Sequence, residues 1–270
     1  MTSKSDAAIR TSWTDQADQR DSGAESLKEH LLEVHRRNPG FTESCASRCT
    51  DGEGKTSYDW LCDAAVGQDT PRILDLACGS GVLLSLLRDR IPDAAALVGI
   101  DMSTAELDLA RQRLKGRGAV LHEGVAQDLA FAGAASFDTV LCHWALTLMD
   151  PVEPVFSEVA RILAAGGTFA AVVDGDPAEA PGYEAVNDLV FAHVRAEVPS
   201  IGERDLGDPR IRQPRSLGAL ACSAFPRASV TTQTRVFTLR GGACELAEEA
   251  VGFFYAAFVL SPQARTTLID

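Results

Sequence analysis

Residues 73–81 read ILDLACGSG, in which a short apolar run leads directly into a turn that contains two glycines. The apolar run predicts a buried strand, and the apolar positions that follow from Val82 predict a helix. Gly79 and Gly81 can adopt backbone angles that are closed to other residues, and they let a ligand approach the backbone closely. The segment therefore predicts a strand, a glycine-rich turn and a helix that begins beside a ligand site.

The same alternation of short apolar runs and helices continues to residue 173. It predicts strands over residues 72–77, 95–101, 119–123, 136–142 and 168–173, with helices over 82–90, 104–115 and 152–163 between them. Parallel strands are joined by helical crossovers that cover both faces of a sheet. We therefore expect an α/β fold with a doubly wound, mostly parallel sheet at residues 68–176.

Further elements are predicted on both sides of this core. Residues 1–67 form an amino-terminal helical arm, with helices over residues 25–37 and from Thr56 or Ser57 to residue 66. Residues 177–227 form a lid, with helices over residues 183–197 and 214–224. Residues 228–270 complete the core with a strand over residues 229–239 and a helix over 244–259.

Composition limits the class of protein. The chain has 38 acidic and 25 basic residues and a formal net charge of −13, which opposes binding to nucleic acid and favours a small-molecule substrate. No apolar run reaches the roughly 18 to 20 residues of a membrane span, and the amino terminus does not resemble a secretory signal. The 7 cysteines are scattered, so neither a disulfide framework nor a metal site is expected. We expect a cytoplasmic protein without membrane contact.

Acidic residues stand near the ends of the first two predicted strands. Asp75 lies just before the glycine turn, where an ionised carboxylate is costly unless it binds a cation or accepts hydrogen bonds. Asp101 lies about 20 residues beyond the turn, where an acid can accept both hydroxyls of a ribose. Met102 can lie against an adenine, and the loop after the third strand offers more residues near the adenine edge: Ala126, Gln127 and Asp128. One crevice is expected to collect these loops.

These ordered motifs resemble the class I S-adenosylmethionine-dependent methyltransferases. The segments that carry the resemblance are LDLACGSG (74–81), GIDMS (99–103), EGVAQDLAF (123–131), SFDTVLCHWAL (136–146) and EVARILAAGGTF (158–169). The resemblance implies a Rossmann-like fold, methyl transfer from S-adenosylmethionine and release of S-adenosylhomocysteine. It also implies cofactor contacts by Asp75, Ala77, Gly79, Gly81, Asp101, Met102, Ala126, Gln127, Asp128 and His143. The acidic charge and the unusual flanks favour a small-molecule substrate in bacterial specialised metabolism.

Two departures from the family pattern keep alternatives open. Val125 stands where relatives often carry an acid, so adenine recognition would fall to backbone amides, Gln127 or Asp128. After residue 259 only LSPQARTTLID remains, so the seventh strand of the family is missing or is supplied by a partner. One alternative is an enzyme of this fold that cyclises its cofactor or closes a small ring such as an aziridine with loss of a leaving group. Another is a homo-oligomer, or a heteromer whose small protein partner completes the sheet.

His143 follows the fourth strand, on the side of the fold that faces the substrate. A histidine that titrates near neutral pH suits a general base, and packing beside the methionine part of the cofactor is the equally simple alternative. His143 is therefore the predicted catalytic residue.

The substrate contacts are predicted around the fifth strand and the lid. Asp174 ends the fifth strand and can anchor an amine, while Tyr183 and Asn187 share one face of the lid helix. Arg212, among the arginines of residues 204–215, can bind an anionic group. Trp13 and Trp144 are also predicted substrate contacts. Trp13, like Trp60, can cover the cofactor or the substrate or fill the gap beneath the amino-terminal helices, and Trp144 can instead pack beside the methionine part of the cofactor.

Overall fold

A computed structural model of the chain describes residues 7–15, 23–65, 71–201 and 206–270. Its central sheet contains five strands: β1 (Arg72–Leu76), β2 (Ala96–Asp101), β3 (Ala119–Glu123), β4 (Phe137–His143) and β5 (Leu163–Val172). All neighbouring strands are parallel, and their order is β3-β2-β1-β4-β5. The predicted doubly wound α/β fold is confirmed.

Helices cover both faces of the sheet and the edge at which the strands end. They are α1 (Ser12–Asp15), α2 (Gly23–Arg37), α3 (Glu43–Arg48), α4 (Ser57–Ala65), α5 (Val82–Arg88), α6 (Thr104–Arg113), α7 (Glu153–Ile162), α8 (Pro181–Glu197), α9 (Pro214–Ala224), α10 (Ala243–Phe253) and α11 (Pro262–Ile269). Short 3-10 helices lie at Ala145–Leu148, Pro177–Glu179, Pro199–Ile201, Pro209–Arg212 and Tyr255–Val259. Within the described ranges, no helix combines the length and apolar character that a membrane crossing requires.

Two apolar clusters fill the space on either side of the sheet. Ile73 of β1 packs with α4, α5 and α6, whereas the next residue, Leu74, packs with α7 on the opposite face. Both side chains are fully buried, as expected where parallel strands are covered on both faces. A third cluster joins α2, α8, α10 and α11, and it includes Leu31 and Val190.

Side chains fix the starts of two core helices where the sequence predicts them. Ser103 precedes α6, and its hydroxyl accepts a hydrogen bond from the Glu106 amide at 3.4 Å. Thr56 precedes α4 and exchanges hydrogen bonds with Asp59, whose carboxylate accepts from the Thr56 amide at 2.8 Å. These caps fix the first turn of α4, before β1, and of α6, directly after β2.

The predicted strand bounds differ most at β5. This strand begins at Leu163, whereas the sequence predicts a helix through residue 163, a glycine-containing connection and a strand only from residue 168. Leu163 pairs with Phe137, and the register with β4 then shifts before Thr139. Gly166, at φ +77°, lies in this irregular stretch, so the glycines that suggested a loop form a bulge inside the strand.

The carboxy-terminal prediction is wrong in two places. Residues 229–239, predicted as a strand, form no ladder in the described structure beyond a single antiparallel bridge between Thr50 and Thr238. Although their apolar residues alternate as in a strand, these residues have no neighbouring described strand to pair with, and most of their side chains are exposed. The last predicted helix also stops early, at Phe253, and a 3-10 helix continues the chain. Predictions for Arg204 and for the end of the arm at residues 66–67 lie outside the described residues.

Candidate active site

A cavity of about 810 Å³ lies at the carboxyl ends of the strands. Its floor includes the ends of β1, β2 and β4, on both sides of the point where the strand order reverses. Its roof comes from α2, α8 and the start of the 3-10 helix at Tyr255–Val259. The volume lies in the upper part of the range of about 300–1,000 Å³ that small-molecule sites occupy. The topology therefore places one large, roofed site where open α/β sheets bind ligands.

The glycine turn and the end of β2 are tied together by Asp101. Its carboxylate accepts hydrogen bonds from the Gly79 amide and from the Ser103 amide, both at 2.8 Å. Gly79 has φ +50°, which turns its amide towards Asp101. Burial raises the pKa of Asp101, and the two amides partly oppose that shift. Each carboxylate oxygen keeps a further lone pair for a ligand hydroxyl.

Gly81 has a different task from Gly79. A Cβ atom at Gly81 would lie 3.1 Å from both Ala110 Cβ and Leu114 Cδ1, and its φ is +77°. Gly81 is absent from the cavity wall, whereas Gly79 lines it. The second glycine therefore permits close packing of α5 against α6, and the first faces the ligand space.

Asp75 is a buried acid with one carboxylate oxygen that lacks a hydrogen-bond partner in the described structure. Its side chain lines the cavity floor, and its Oδ2 atom has no hydrogen-bond partner among the described residues. Burial, and secondly the charge of Asp101, raise the pKa of Asp75 well above its usual value. A cationic ligand would provide the missing partner and favour the ionised carboxylate. The site therefore fits a ligand that carries a positive charge.

Two non-glycine residues at strand ends have left-handed backbone angles. Ala77 follows β1 with φ +57°, and Trp144 follows β4 with φ +59°. Such angles are unfavourable for a bulky side chain and occur often at functional sites. Both residues line the cavity, and the Trp144 amide donates to the Val172 carbonyl at 2.7 Å. These two turns aim neighbouring groups into the site.

The loop after β3 contributes only part of what the sequence predicts. Ala126 and Gln127 line the cavity, together with Val125 and, from the end of β2, Met102. Asp128 is exposed, and its carboxylate accepts a hydrogen bond from the Ala130 amide at 3.1 Å. The predicted residues Ala126, Gln127 and Met102 therefore lie at the site, together with Val125, whereas Asp128 does not line the cavity.

A hydrogen-bonded chain across the roof escaped the sequence prediction. His35 of α2 lies between Glu106 and Tyr255, with its Nδ1 2.7 Å from Glu106 Oε1 and its Nε2 2.8 Å from the Tyr255 hydroxyl. The Gly40 amide donates to the same Glu106 oxygen at 2.8 Å. All four residues line the cavity. Spacing offered one signal, since His35 follows the buried Leu31 by one helical turn on the apolar face of α2.

His143 is held by residues of α4. Its Nε2 lies 2.8 Å from the Ser57 hydroxyl, and its ring stacks on Tyr58 with 3.9 Å between the centroids. Burial lowers the pKa of His143 to about 3. The imidazole, which lines the cavity, is therefore neutral at physiological pH and is a much weaker base than a free histidine.

The predicted substrate residues meet at the other end of the cavity, with one exception. Asp174, Tyr183, Asn187 and Arg212 all line the wall near the ends of β4 and β5, as Trp144 does. Trp13 does not line the cavity; it is buried and stacks on His30 with 4.8 Å between the ring centroids. Trp13 therefore belongs to the buried apolar cluster that joins α2, α8, α10 and α11, and not to the cavity wall.

Comparisons with known proteins place the core in a family. Residues 74–171 match the family model described as a methyltransferase domain. A demethylmenaquinone methyltransferase of Thermus thermophilus is 36% identical over 107 residues, 39% of this chain and 48% of that protein. A trans-aconitate 2-methyltransferase of an Acidovorax species is 35% identical over 133 residues, 47% of each chain.

A similar solved structure is a Haloferax volcanii protein in complex with the Trm112 methyltransferase activator. It has 17% identity and a TM-score of 0.46, and the match covers 80% of this chain and 77% of that one. The chain spans about half the length of the curated relatives named above. The family match and the ordered motifs together identify residues 74–171 as a methyltransferase domain of the class I family, whose cofactor is S-adenosylmethionine.

Proposed function

We propose that this chain transfers a methyl group from S-adenosylmethionine to a small molecule. The observation that carries the proposal is that one continuous cavity extends from Asp75 and Asp101 to Asp174 under a roof of helices. The roof limits the acceptor to a molecule that fits beside the cofactor. The names of the relatives, which refer to demethylmenaquinone and trans-aconitate, support a small acceptor.

The residues at the β1, β2 and β3 ends are suited to hold the cofactor. Asp101 would accept hydrogen bonds from the ribose hydroxyls, and the unpartnered Asp75 oxygen would bind a cationic group. Met102 and Gln127 would flank the adenine. S-adenosylmethionine, when bound, supplies an electrophilic methyl group attached to a sulfonium. The protein then contributes mainly by positioning the acceptor and excluding water.

His143 is better suited to position groups than to accept a proton. Its hydrogen bond with Ser57 and its stacking on Tyr58 fix the ring, and a pKa of about 3 makes it a weak base. We propose that it forms a neutral wall between the cofactor and the acceptor. The general-base role stays a prediction, and a His143→Gln variant that loses far more than tenfold in kcat without a change in KM would restore it.

We also propose that the protein works in the cytoplasm, in bacterial specialised metabolism. The acidic charge of −13 and the unusual flanks of the core support this assignment. The four segments predicted as arm, core, lid and carboxy-terminal completion remain our proposed division of the chain.

A further part of the proposal is that a polypeptide, either a second copy or a small protein, adds a strand to β5. β5 is the outer strand of the sheet, and its Thr168 and Ala171 are exposed. Such an edge is a template for pairing with another chain. Light scattering of the purified protein should give a mass above one chain that Ala171→Lys reduces. A monomer with full activity would contradict this part.

The proposed function is tested by a methyl-acceptor screen with S-adenosylmethionine labelled on the methyl group. We expect label in a small acceptor, with one S-adenosylhomocysteine formed for each methyl transferred. Formation of a cyclised cofactor fragment or a ring-closed product without transfer of label would contradict methylation. That outcome would support the alternative enzyme that keeps the fold but does not methylate.

A further inference from the structure

Arg212 is a cavity residue whose guanidinium is only partly satisfied. Its Nη2 donates to the Leu206 carbonyl at 2.8 Å. Its Nη1 is buried and has no hydrogen-bond partner in the part of the chain that the structure describes. A buried, always charged donor without a partner is unfavourable, so such groups mark places where a ligand completes the hydrogen bonds.

Asp208 and Glu153 lie in or near the same loop but bind Arg210 and not Arg212. Arg210 binds Asp208 through its Nε atom at 2.9 Å and Glu153 through its Nη2 atom at 2.7 Å. Arg210 points to the exterior, where Glu153 is half exposed. The loop thus separates two arginines. Arg210 is fixed by the buried Asp208 and the half-exposed Glu153, whereas Arg212 lines the cavity with a donor left over.

An acid of opposite charge lines the same end of the cavity. Asp174 is close enough for the charge of Arg212 to lower its pKa, although burial raises that pKa more strongly. No ion pair or hydrogen bond joins these two described side chains. The Tyr183 hydroxyl belongs to the same group, since the charges of Asp174 and Arg212 both act on its pKa. A cation and an anion that face one space without pairing suit a ligand with complementary groups.

Aromatic rings form the wall beside these charges. Phe253 packs edge to face on Trp144 with 4.9 Å between the centroids, and Tyr183 stacks on Phe254 at 5.5 Å. These rings line the cavity next to Asp174 and Arg212. The ligand that matches this end therefore has an apolar body as well as polar groups.

We propose that the substrate is a small carboxylic acid with an apolar or aromatic body and a hydroxyl or amine group. Its carboxylate binds Arg212 Nη1, and its hydroxyl or amine donates a hydrogen bond to Asp174. The proposal rests on the proposed function, because it assigns the acceptor of that same site. It gives this acidic protein an anion-binding position inside the cavity, despite the net charge of −13.

The test measures binding of matched probes to the full chain saturated with S-adenosylhomocysteine. The probes are 3-hydroxybenzoate, its neutral amide 3-hydroxybenzamide and benzoate, measured by calorimetry and by ligand-observed NMR. We expect the acid to bind about 10- to 100-fold more tightly than the amide, which corresponds to one charge-assisted hydrogen-bonded group. Benzoate should bind more weakly than 3-hydroxybenzoate because it offers no donor to Asp174.

Arg212→Gln should abolish the preference for the acid over the amide. The matched control is Arg215→Gln, an exposed arginine three residues further on, which should keep the preference. Asp174→Asn should remove the advantage of 3-hydroxybenzoate over benzoate. Unchanged binding of S-adenosylhomocysteine verifies that each variant is folded.

Equal affinity for acid and amide, or no binding of any probe while S-adenosylhomocysteine is bound, would overturn the substrate assignment and leave the proposed function standing. Failure of the wild-type chain to bind S-adenosylhomocysteine would instead contradict the proposed function. The two failures are therefore distinguishable in one set of titrations.

Discussion

The two ends of the cavity are built in different ways. At the cofactor end, short loops after β1, β2 and β3 hold each group through nearby backbone, as the Gly79 and Ser103 amides hold Asp101. At the substrate end, the wall combines β4, β5, the lid helix and residues near 206–212 and 253–256. The cofactor end is therefore built from residues close together in the sequence, so the short motifs after β1, β2 and β3 are enough to form it. The substrate end depends on where distant segments pack, so it can vary in specificity while the cofactor end is kept.

The largest difference between the two ends of the cavity is expected when the charge of Asp75, at the cofactor end, is removed. Asp75→Asn should weaken S-adenosylmethionine binding by on the order of 100-fold, because a buried partner for a cation is lost. The same change should raise the free energy of unfolding of the ligand-free protein at pH 7 by about 1–2 kcal/mol. The sign follows from the raised pKa: ionising Asp75 destabilises the folded state as pH rises above the unfolded value, and asparagine removes that loss.

Calorimetry and urea unfolding measure the two effects. The exposed Asp128 gives the matched control, since Asp128→Asn should change neither quantity much. A less stable Asp75→Asn protein with unchanged affinity would contradict the role of Asp75 as a ligand group.

The same distinction explains what the sequence could reveal. Gly79, Asp101 and Met102 lie within a few residues of the strands that position them, so strand prediction was enough to place them at the cavity. Arg212 gave only a chemical hint, because its position depends on the packing of the loop from residue 206 against the 3-10 helix at Ala145–Leu148. The backbone strain at Trp144 left no trace in the residue pattern.

Two errors have physical causes of the same kind. Residues 229–239 alternate like a strand, but a strand forms only where an edge accepts it, and local pattern does not report the edge. Asp128 follows β3 as the family pattern suggests, yet its carboxylate accepts a hydrogen bond from the Ala130 amide and lies outside the cavity.

The two glycines of the turn after β1 are expected to affect different quantities: Gly81 the stability of the fold, and Gly79 the affinity for the cofactor. Gly81→Ala should lower the free energy of unfolding by about 2–3 kcal/mol, because the new Cβ meets α6 at 3.1 Å and φ is +77°. Gly79→Ala should cost only about 1 kcal/mol, since the closest atom to its Cβ is Glu106 Oε2 at 3.9 Å. Its methyl group should instead reduce cofactor affinity. Urea unfolding and calorimetry on both variants measure the free energy of unfolding and the cofactor affinity. If the two substitutions changed these two quantities equally, the separate roles of Gly79 and Gly81 would be refuted.

A further effect, confined to acidic pH, is expected from the titration of His143. Its folded pKa of about 3 lies below the unfolded value of 6.5, so the folded state is destabilised as pH falls from 6.5 towards 3. Each such group adds a slope of up to about 1.4 kcal/mol per pH unit in that window. His143→Gln should reduce the measured slope of unfolding free energy against pH between 4 and 6. His122→Gln on β3, outside the cavity, is the control; an unchanged slope in His143→Gln would mean that the imidazole is protonated in the fold.

The assignment of the cofactor end of the cavity is tested most directly by calorimetric titration with S-adenosylmethionine of the wild-type chain, Asp101→Ala and Asp128→Ala. The cavity predicts micromolar binding by the wild type, a loss of about tenfold or more in Asp101→Ala and little change in Asp128→Ala. Binding that ignores Asp101, or that depends on Asp128 instead, would contradict the assignment of the cofactor end of the cavity.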